Sequence, residues 1–246
     1  MIPRFHCPPS DCGTLAPGAQ LDLPDAAAHH ALKVLRMKAG DVLTLFDGTG
    51  GEWRAEIVSA GRTARVALRD FSGRESESPL DVTLAQALPA GDKMDWVIEK
   101  CVELGVTAIQ PVAAKRSVIR LSAERMERRV AHWNQIARAA CEQCGRNRVP
   151  GVAPVLDLPQ YLALAKAQNA LRLILTPEDG VAPRALGRPA IPVIAMIGPE
   201  GGWEEGEIQA ARAAGFQPVR LGPRVLRTET AGAAVLATLQ ALWGDF

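Results

Sequence analysis

The sequence predicts an α/β protein in which a mostly parallel sheet, covered by helices on both faces, follows a small β-rich unit. Three observations predict it. Residues 80–246 alternate short apolar runs with stretches of helical period. Residues 1–70 hold consecutive hairpin patterns divided by glycine turns. A polar segment of small residues, 71–79, separates the two. An apolar content of 48% is ample for packed cores in a chain of 246 residues.

In chain order, Asp25 to Met37 predicts a short helix with Ala28, Leu32 and Leu35 on its inner side. Val42–Phe46 predicts a strand, and Asp47-Gly48-Thr49-Gly50-Gly51 a tight turn. Glu52 to Val58 alternates polar and apolar, with Trp53, Ala55 and Ile57 on one side, and Ala64 to Leu68 alternates again after a second turn. Consecutive hairpins of this kind predict a small barrel. Beyond the linker, strands are predicted at 82–88, 107–112, 172–176, 193–197 and 218–221, and helices at 92–104, 122–144, 204–214 and 229–243. Val97, Ile98, Cys101 and Val102 stripe the first of these helices. Met126, Val130, Trp133, Ala137, Ala140 and Cys144 stripe the second, with Ser122 as its N-cap. The expected domains are 1–72, a linker at 73–79, and 80–246.

Bulk properties exclude several classes. No apolar run is long enough to span a bilayer, and the first residues carry no apolar signal segment. Five cysteines, an odd number in a chain too large to need staples, predict reduced thiols and a cytoplasmic protein. The net charge is +1, yet residues 113–150 hold nine basic residues against three acidic ones, a local excess of six that suits a polyanion.

The chemistry concentrates in two glycine–proline turns, Ile197-Gly198-Pro199-Glu200-Gly201-Gly202-Trp203 and Leu221-Gly222-Pro223-Arg224-Val225-Leu226-Arg227-Thr228-Glu229-Thr230. Each follows an apolar run and precedes a helical pattern, so each reads as a strand-to-helix loop. Such loops hold small ligands in α/β proteins. Two of them only 24 positions apart predict one pocket lined mainly by backbone. Glu200 suits a cation or the hydroxyl pair of a ribose, or is a plain surface acid. An arginine of the second loop suits a phosphate or an oxyanion, or an ion pair with Glu229. Thr176-Pro177-Glu178-Asp179-Gly180 is a third, weaker loop after the run Leu171–Leu175. Cys141 and Cys144 have CxxC spacing inside a helical pattern, without the context of a redox motif. A zinc site joining them to Cys7 and Cys12 is disfavoured, and His29-His30 lack a third ligand, so no metal is expected. Dinucleotide, P-loop and nucleophile-elbow motifs do not occur.

The two turns resemble the signature loops of the bacterial 16S ribosomal RNA uridine-N3 methyltransferases, members of the SPOUT superfamily of knotted methyltransferases. Lys100-Cys101-Val102-Glu103-Leu104-Gly105-Val106, the stretch Ala140 to Pro150, the opening Pro3-Arg4-Phe5 and His30 to Arg36 resemble that family too, so the likeness spans nearly the full length. It implies an N-terminal PUA-like RNA-binding barrel, a C-terminal domain with a trefoil knot that binds S-adenosylmethionine, a homodimer, and small-subunit 16S ribosomal RNA as partner. By analogy, Leu175, Thr176, Ile197, Gly198, Pro199, Glu200, Gly201, Gly202, Leu221, Gly222, Val225, Leu226 and Thr230 cradle the cofactor. Arg227 and Glu229 are the catalytic candidates, because attack by uracil N3 needs a base and a cation for the developing anion. Arg4, Arg36, Arg116, Arg146 and Arg148 are the expected RNA contacts. Two readings stay open beside this one: a knotted ribose 2′-O-methyltransferase acting on ribosomal or transfer RNA, and a non-catalytic ribosome-associated RNA-binding factor.

Overall fold

A computed structural model describes residues 2–117 and 122–246. Arg120, one of the nine basic residues counted above, lies outside the described residues. The chain divides into two compact units, Met1–Glu77 with Cys141–Val149, and Ser78–Ala140 with Pro150–Phe246.

The first unit is built on β1 (Arg4–His6), α1 (Pro9–Cys12), β2 (Gln20–Asp22), α2 (Asp25–His29), β3 (Val42–Phe46), β4 (Glu52–Ala60) and β5 (Ala64–Ser72). The sheet order is β1-β3-β4-β5-β2, with β1 parallel to β3 and the other pairs antiparallel. Register shifts between Trp53 and Ala55 and between Ile57 and Ser59 break the β4–β5 ladder, the irregularity that bends a sheet toward closure. Leu43, Leu45, Ala55, Ile57 and Val66 are fully buried and form the core with Phe5 and Ala31. The period-two alternation read from β4 and β5 thus finds its inner face. The helix predicted at 25–37 is shorter: after His29 the chain makes a π-helical turn, His30–Val34, and Arg36 ends it at φ +56°. The wider turn shifts every later side chain around the axis, so Ala31 is buried and Leu35 is exposed, not inward as the 3.6 period predicts. Cys7 and Cys12 are joined in a disulfide across α1, which corrects the expectation of reduced thiols; five positions apart in a helical turn, their Cα atoms lie 6.0 Å apart.

The second unit is an all-parallel sheet of β6 (Val82–Ala87), β7 (Ala108–Ala113), β8 (Gly151–Val152), β9 (Leu156–Asp157), β10 (Leu171–Leu175), β11 (Val193–Ile197) and β12 (Gln217–Val219). Their order is β12-β10-β11-β6-β7-β8, with β9 also on β7. Its helices are α3 (Lys93–Glu103), α4 (Ala123–Cys144), whose last residues belong to the first unit, α5 (Leu158–Ala167), α6 (Glu205–Ala213) and α7 (Thr228–Trp243). Side-chain alternation divides the strands' work. Ala85, Ala87, Ile174, Ile194 and Met196 pack with Tyr161 and Leu162 of α5 and Ala211 of α6. Leu84 and Gln86 point to the other face, against α7. Every residue of β11 is buried, as a central parallel strand requires, and each large side chain there contributes about 1.5–3 kcal/mol. Strand pairing of β10 with β11 on one side and β12 on the other brings the C-terminal ends of all three to the same sheet edge.

No element was predicted between 145 and 170, yet β8, β9 and α5 lie there. Helix α5 opens with a capping box, Asp157 accepting from the Gln160 amide at 2.8 Å while the Gln160 side chain accepts from Asp157 N. Among the described residues no helix is long and apolar enough to cross a membrane.

Candidate functional site

The loops that leave β10, β11 and β12 enclose a cavity of about 360 Å³, and the start of α3 and of α7 complete it. Parallel strands feed right into it: each apolar run ends in a turn at the sheet edge, and the backbone of that turn is the wall. Of the residues expected to cradle a ligand, Leu175, Thr176, Ile197, Gly198, Pro199, Glu200, Gly202, Leu221, Gly222, Val225 and Leu226 line the cavity, as does Arg227. Gly201 and Thr230 are not on its wall. Gly201 turns to Arg116, whose guanidinium donates to its carbonyl at 2.8 Å.

The first loop is held from both sides. Its following helix, α6, begins with a capping box of Glu204 and Glu207, and Glu207 also accepts from the Lys115 amide at 2.9 Å. Trp203 packs over Gly198, where an added Cβ would stand 3.1 Å from the indole nitrogen. Among the described residues that buried indole N–H has no hydrogen-bond partner. The third loop is pinned by Thr176 N donating to Val219 O at 3.1 Å, and by a bridge between Val181 and Val219. Thr228 Oγ1 donates to Gly198 O at 2.5 Å, tying the start of α7 to the turn after β11.

Charge at the mouth is asymmetric. Lys93 Nζ stands 2.8 Å from Glu200 Oε1 and 3.6 Å from Glu229 Oε2. Glu200 Oε1 also accepts from the Ala90 amide at 3.0 Å. Burial pushes the Glu200 carboxyl up, but the hydrogen bonds from Lys93 and Ala90 outweigh it and hold the group below the ordinary carboxylate range. The hydrogen bond to Glu200, with the charge of Glu229 behind it, raises Lys93 despite its partial desolvation. Among the described residues Glu229 Oε2 is buried with no partner within hydrogen-bond distance, and Glu229 itself is not on the cavity wall. Among the described residues Arg224 and Arg227 have no ion-pair partner; the partner of Glu229 is Lys93, not an arginine of its own loop.

Lys93 was not singled out in the sequence. The signal that finds it is the loop Leu88-Pro89-Ala90-Gly91-Asp92, another proline–glycine turn after an apolar run. The expected RNA contacts separate. Arg36 is exposed, and the side chains of Arg116 and Arg148 are about half exposed. Arg4 and Arg146 must be corrected, because both are interior to the first unit. Arg4 is ion-paired with Glu52, donates to Asn147 Oδ1 at 2.6 Å and lies over the Phe46 ring. Arg146 is 4% exposed and donates to Glu77 Oε2 from Nε at 2.8 Å and Nη2 at 2.6 Å. Glu52, Asn147 Oδ1 and the Arg146 carbonyl engage Arg4, and Glu77 engages Arg146, so neither buried guanidinium turns an exposed face to a phosphate.

Comparison with known proteins places this geometry in context. The RNA methyltransferase domain family matches residues 76–240, and the RNA methyltransferase PUA domain family matches residues 23–65. A Synechocystis protein named ribosomal RNA small subunit methyltransferase E is 38% identical over 229 residues, covering 91% of this chain and 74% of its own. The crystal structure of a ribosomal RNA small subunit methyltransferase E from Neisseria gonorrhoeae, bound to S-adenosylmethionine, is 41% identical with a TM-score of 0.92 and covers all of both chains. A Legionella pneumophila methyltransferase solved with the same cofactor is 38% identical with a TM-score of 0.94, again over all of both chains.

Proposed function

Because the chain belongs to the family of small-subunit ribosomal RNA methyltransferases E, we propose that it moves the methyl group of S-adenosylmethionine, seated in this cavity, to N3 of a uridine in 16S ribosomal RNA. The observation that carries the reading is the meeting of three strand-end loops around one cavity with two free arginines and a lysine-bridged pair of carboxylates at its mouth. The fit to the donor is one of shape and polarity. Leu175, Ile197 and Leu226 offer apolar walls, and Thr176, Glu200 and Arg227 offer polar groups. The chain's path, with β11 laid between β10 and β6 and α7 returning against both β6 and β11, is compatible with the trefoil knot that the family likeness implies.

S-adenosylmethionine supplies a methyl group on a positively charged sulfur. The protein's own part is placement and proton handling. The loops hold the donor so that N3 approaches in line with the sulfur–carbon bond. Glu229, ion-paired with Lys93 beside the cavity, accepts the N3 proton as the N3–carbon bond forms and the sulfur–carbon bond breaks, its electron pair staying on the sulfur of a neutral thioether. Arg227, with no acid to neutralise it, steadies the negative charge that develops on a uracil oxygen. Arg36 and Arg148 meet RNA phosphates from the first unit, and the protein works as a homodimer in the cytoplasm.

Incubation of small-subunit particles and of naked RNA with labelled S-adenosylmethionine, followed by mapping of the modified base, tests the reading. Label at N3 of a single uridine supports it; label on a ribose, or no transfer to either substrate, refutes it. Arg227→Ala lowers transfer roughly 10²–10³-fold with the fold intact. Normal turnover in that variant removes Arg227 from the mechanism.

A further inference from the structure

We propose that Gln86 and Thr228 are positioning residues for the methyl-donor cavity: the Gln86 amide fixes the direction of the Thr228 hydroxyl bond, and that bond sets the spacing between the turn after β11 and the start of α7. The inference rests on the reading that this cavity holds S-adenosylmethionine.

Gln86 is fully buried in a strand whose neighbours are apolar. Its Nε2 donates to Ala87 O at 3.0 Å and to Thr228 Oγ1 at 2.9 Å. The backbone carbonyl can only accept, so one orientation of the amide is determined: the flipped group would set an oxygen against it. Thr228 Oγ1 is thereby used as an acceptor, and its own proton goes to its other partner among the described residues, Gly198 O at 2.5 Å. Three segments distant in sequence are joined: the end of β6, the first residue after β11, and the first residue of α7. Fixing the Gly198 carbonyl fixes the plane of the Gly198–Pro199 peptide, and with it the direction in which the turn leaves the strand. Trp203 packs on Gly198 and limits its freedom further.

Two details argue that this arrangement serves position and not only stability. Gln86 Oε1 is buried without a hydrogen-bond partner, a desolvation cost that an aliphatic side chain at this point of β6 would not carry. Gly232 lies one turn along α7 from Thr228, in a helix interior where glycine is unfavourable. A Cβ there would stand 3.2 Å from Gln86 Oε1 and 3.6 Å from a Leu84 methyl. The missing side chain makes room for the amide, and the amide cannot yield without loosening its two hydrogen bonds.

The test compares binding of S-adenosylmethionine by calorimetry, and steady-state transfer, in the full-length parent, Thr228→Val, Thr228→Ser and Gly232→Ala. Thr228→Val keeps the side-chain volume and removes the hydroxyl; it raises Kd and KM for S-adenosylmethionine roughly tenfold while kcat at saturation stays within about twofold. Thr228→Ser restores parental values. Gly232→Ala weakens binding, because its Cβ presses on Gln86 Oε1 and loosens the two hydrogen bonds of the amide, while the better helix propensity of alanine offsets part of that cost in its melting temperature. Equal binding by parent and Thr228→Val overturns the inference, as does a Thr228→Ser variant as weak as Thr228→Val. Should Thr228→Val fail to fold, Gly232→Ala carries the test, and parental binding there overturns it. A parent that takes no S-adenosylmethionine overturns the cavity assignment itself, and the inference with it.

Discussion

Gly180→Ala is the substitution for which the structure gives the firmest magnitude. Gly180 closes the loop that carries Thr176 and Pro177 into the cavity, at φ +135°. An added Cβ would stand 2.8 Å from the Pro218 carbonyl carbon and oxygen and from Val219 N, all of them backbone atoms that have no rotamer to yield. The loop must move. Two backbone hydrogen bonds stand in its way, Val181 N to Pro218 O at 3.1 Å and Arg220 N to Val181 O at 3.0 Å. The forced φ costs about 1–3 kcal/mol, and the lost hydrogen bonds forfeit roughly another 1–2 kcal/mol. A net loss of about 2–5 kcal/mol corresponds to a fall of roughly 5–15 °C in melting temperature for a chain of this size. Differential scanning calorimetry reads the fall, and calorimetric titration with S-adenosylmethionine reads the displaced loop as weaker binding. Gly187→Ala is the control: nothing lies within 4 Å of its added Cβ and its φ is ordinary, so it leaves stability level or slightly raised. A Gly180→Ala chain that melts with the parent, or a Gly187→Ala chain that falls as far, would refute the reasoning.

Three further outcomes follow from the site and its surroundings. The Lys93–Glu200 pair contributes stability in a defined window: Glu200 is depressed, so its share is present above its unfolded pKa and is lost as pH falls through the folded one; Lys93 is raised, so its share is present below its unfolded pKa and is lost as pH rises through the folded one. Melting temperatures of parent and Lys93→Met should therefore converge at both acid and alkaline extremes and differ between them; a constant gap across pH would show that the pair is not the cause. Burial pushes the Cys141 thiol up to about 12, against the pull of Arg146, so Cys141 stays unreactive to iodoacetamide at neutral pH in the folded chain while the partly exposed Cys144 is alkylated first, as peptide mapping by mass spectrometry will report. Arg4→Ala lowers the stability of the first unit by about 3 kcal/mol, because it leaves the largely buried Glu52 with only the more distant Arg74 and takes the donor from Asn147 Oδ1. Loss of RNA affinity at an unchanged melting temperature would instead return Arg4 to the list of RNA contacts.

How far the sequence reached depends on the range of the interaction in question. Val42–Phe46 and Val193–Ile197 were legible to the residue because a buried strand is an unbroken or alternating apolar run bounded by turn residues. The turns at 198 and 222 were legible as strand-end turns that line one cavity, because glycine and proline follow an apolar run in each. Helix α5 is short, and its start is written only in the capping box of Asp157 and Gln160 and in the proline of its first turn, local signals that carry no long apolar period. The π-helical turn after His29 could not be seen, because the same apolar residues satisfy both periods until the packing against the β1–β3 side of the core selects one.

Local pattern thus marked most of the strands and helices, the turns that meet at the cavity, and the residues with chemistry to offer, but not β8, β9, α5 or the π-helical turn. Tertiary structure alone decided whom each charged group would meet. Glu229 faces Lys93 from an element 136 positions away, Arg4 finds Asn147 across 143, and Gln86 reaches Thr228 across 142. A charge or an amide carries no mark of its partner in its neighbours along the chain; burial makes a partner necessary, and only the order of strands in the sheet settles which one is within reach.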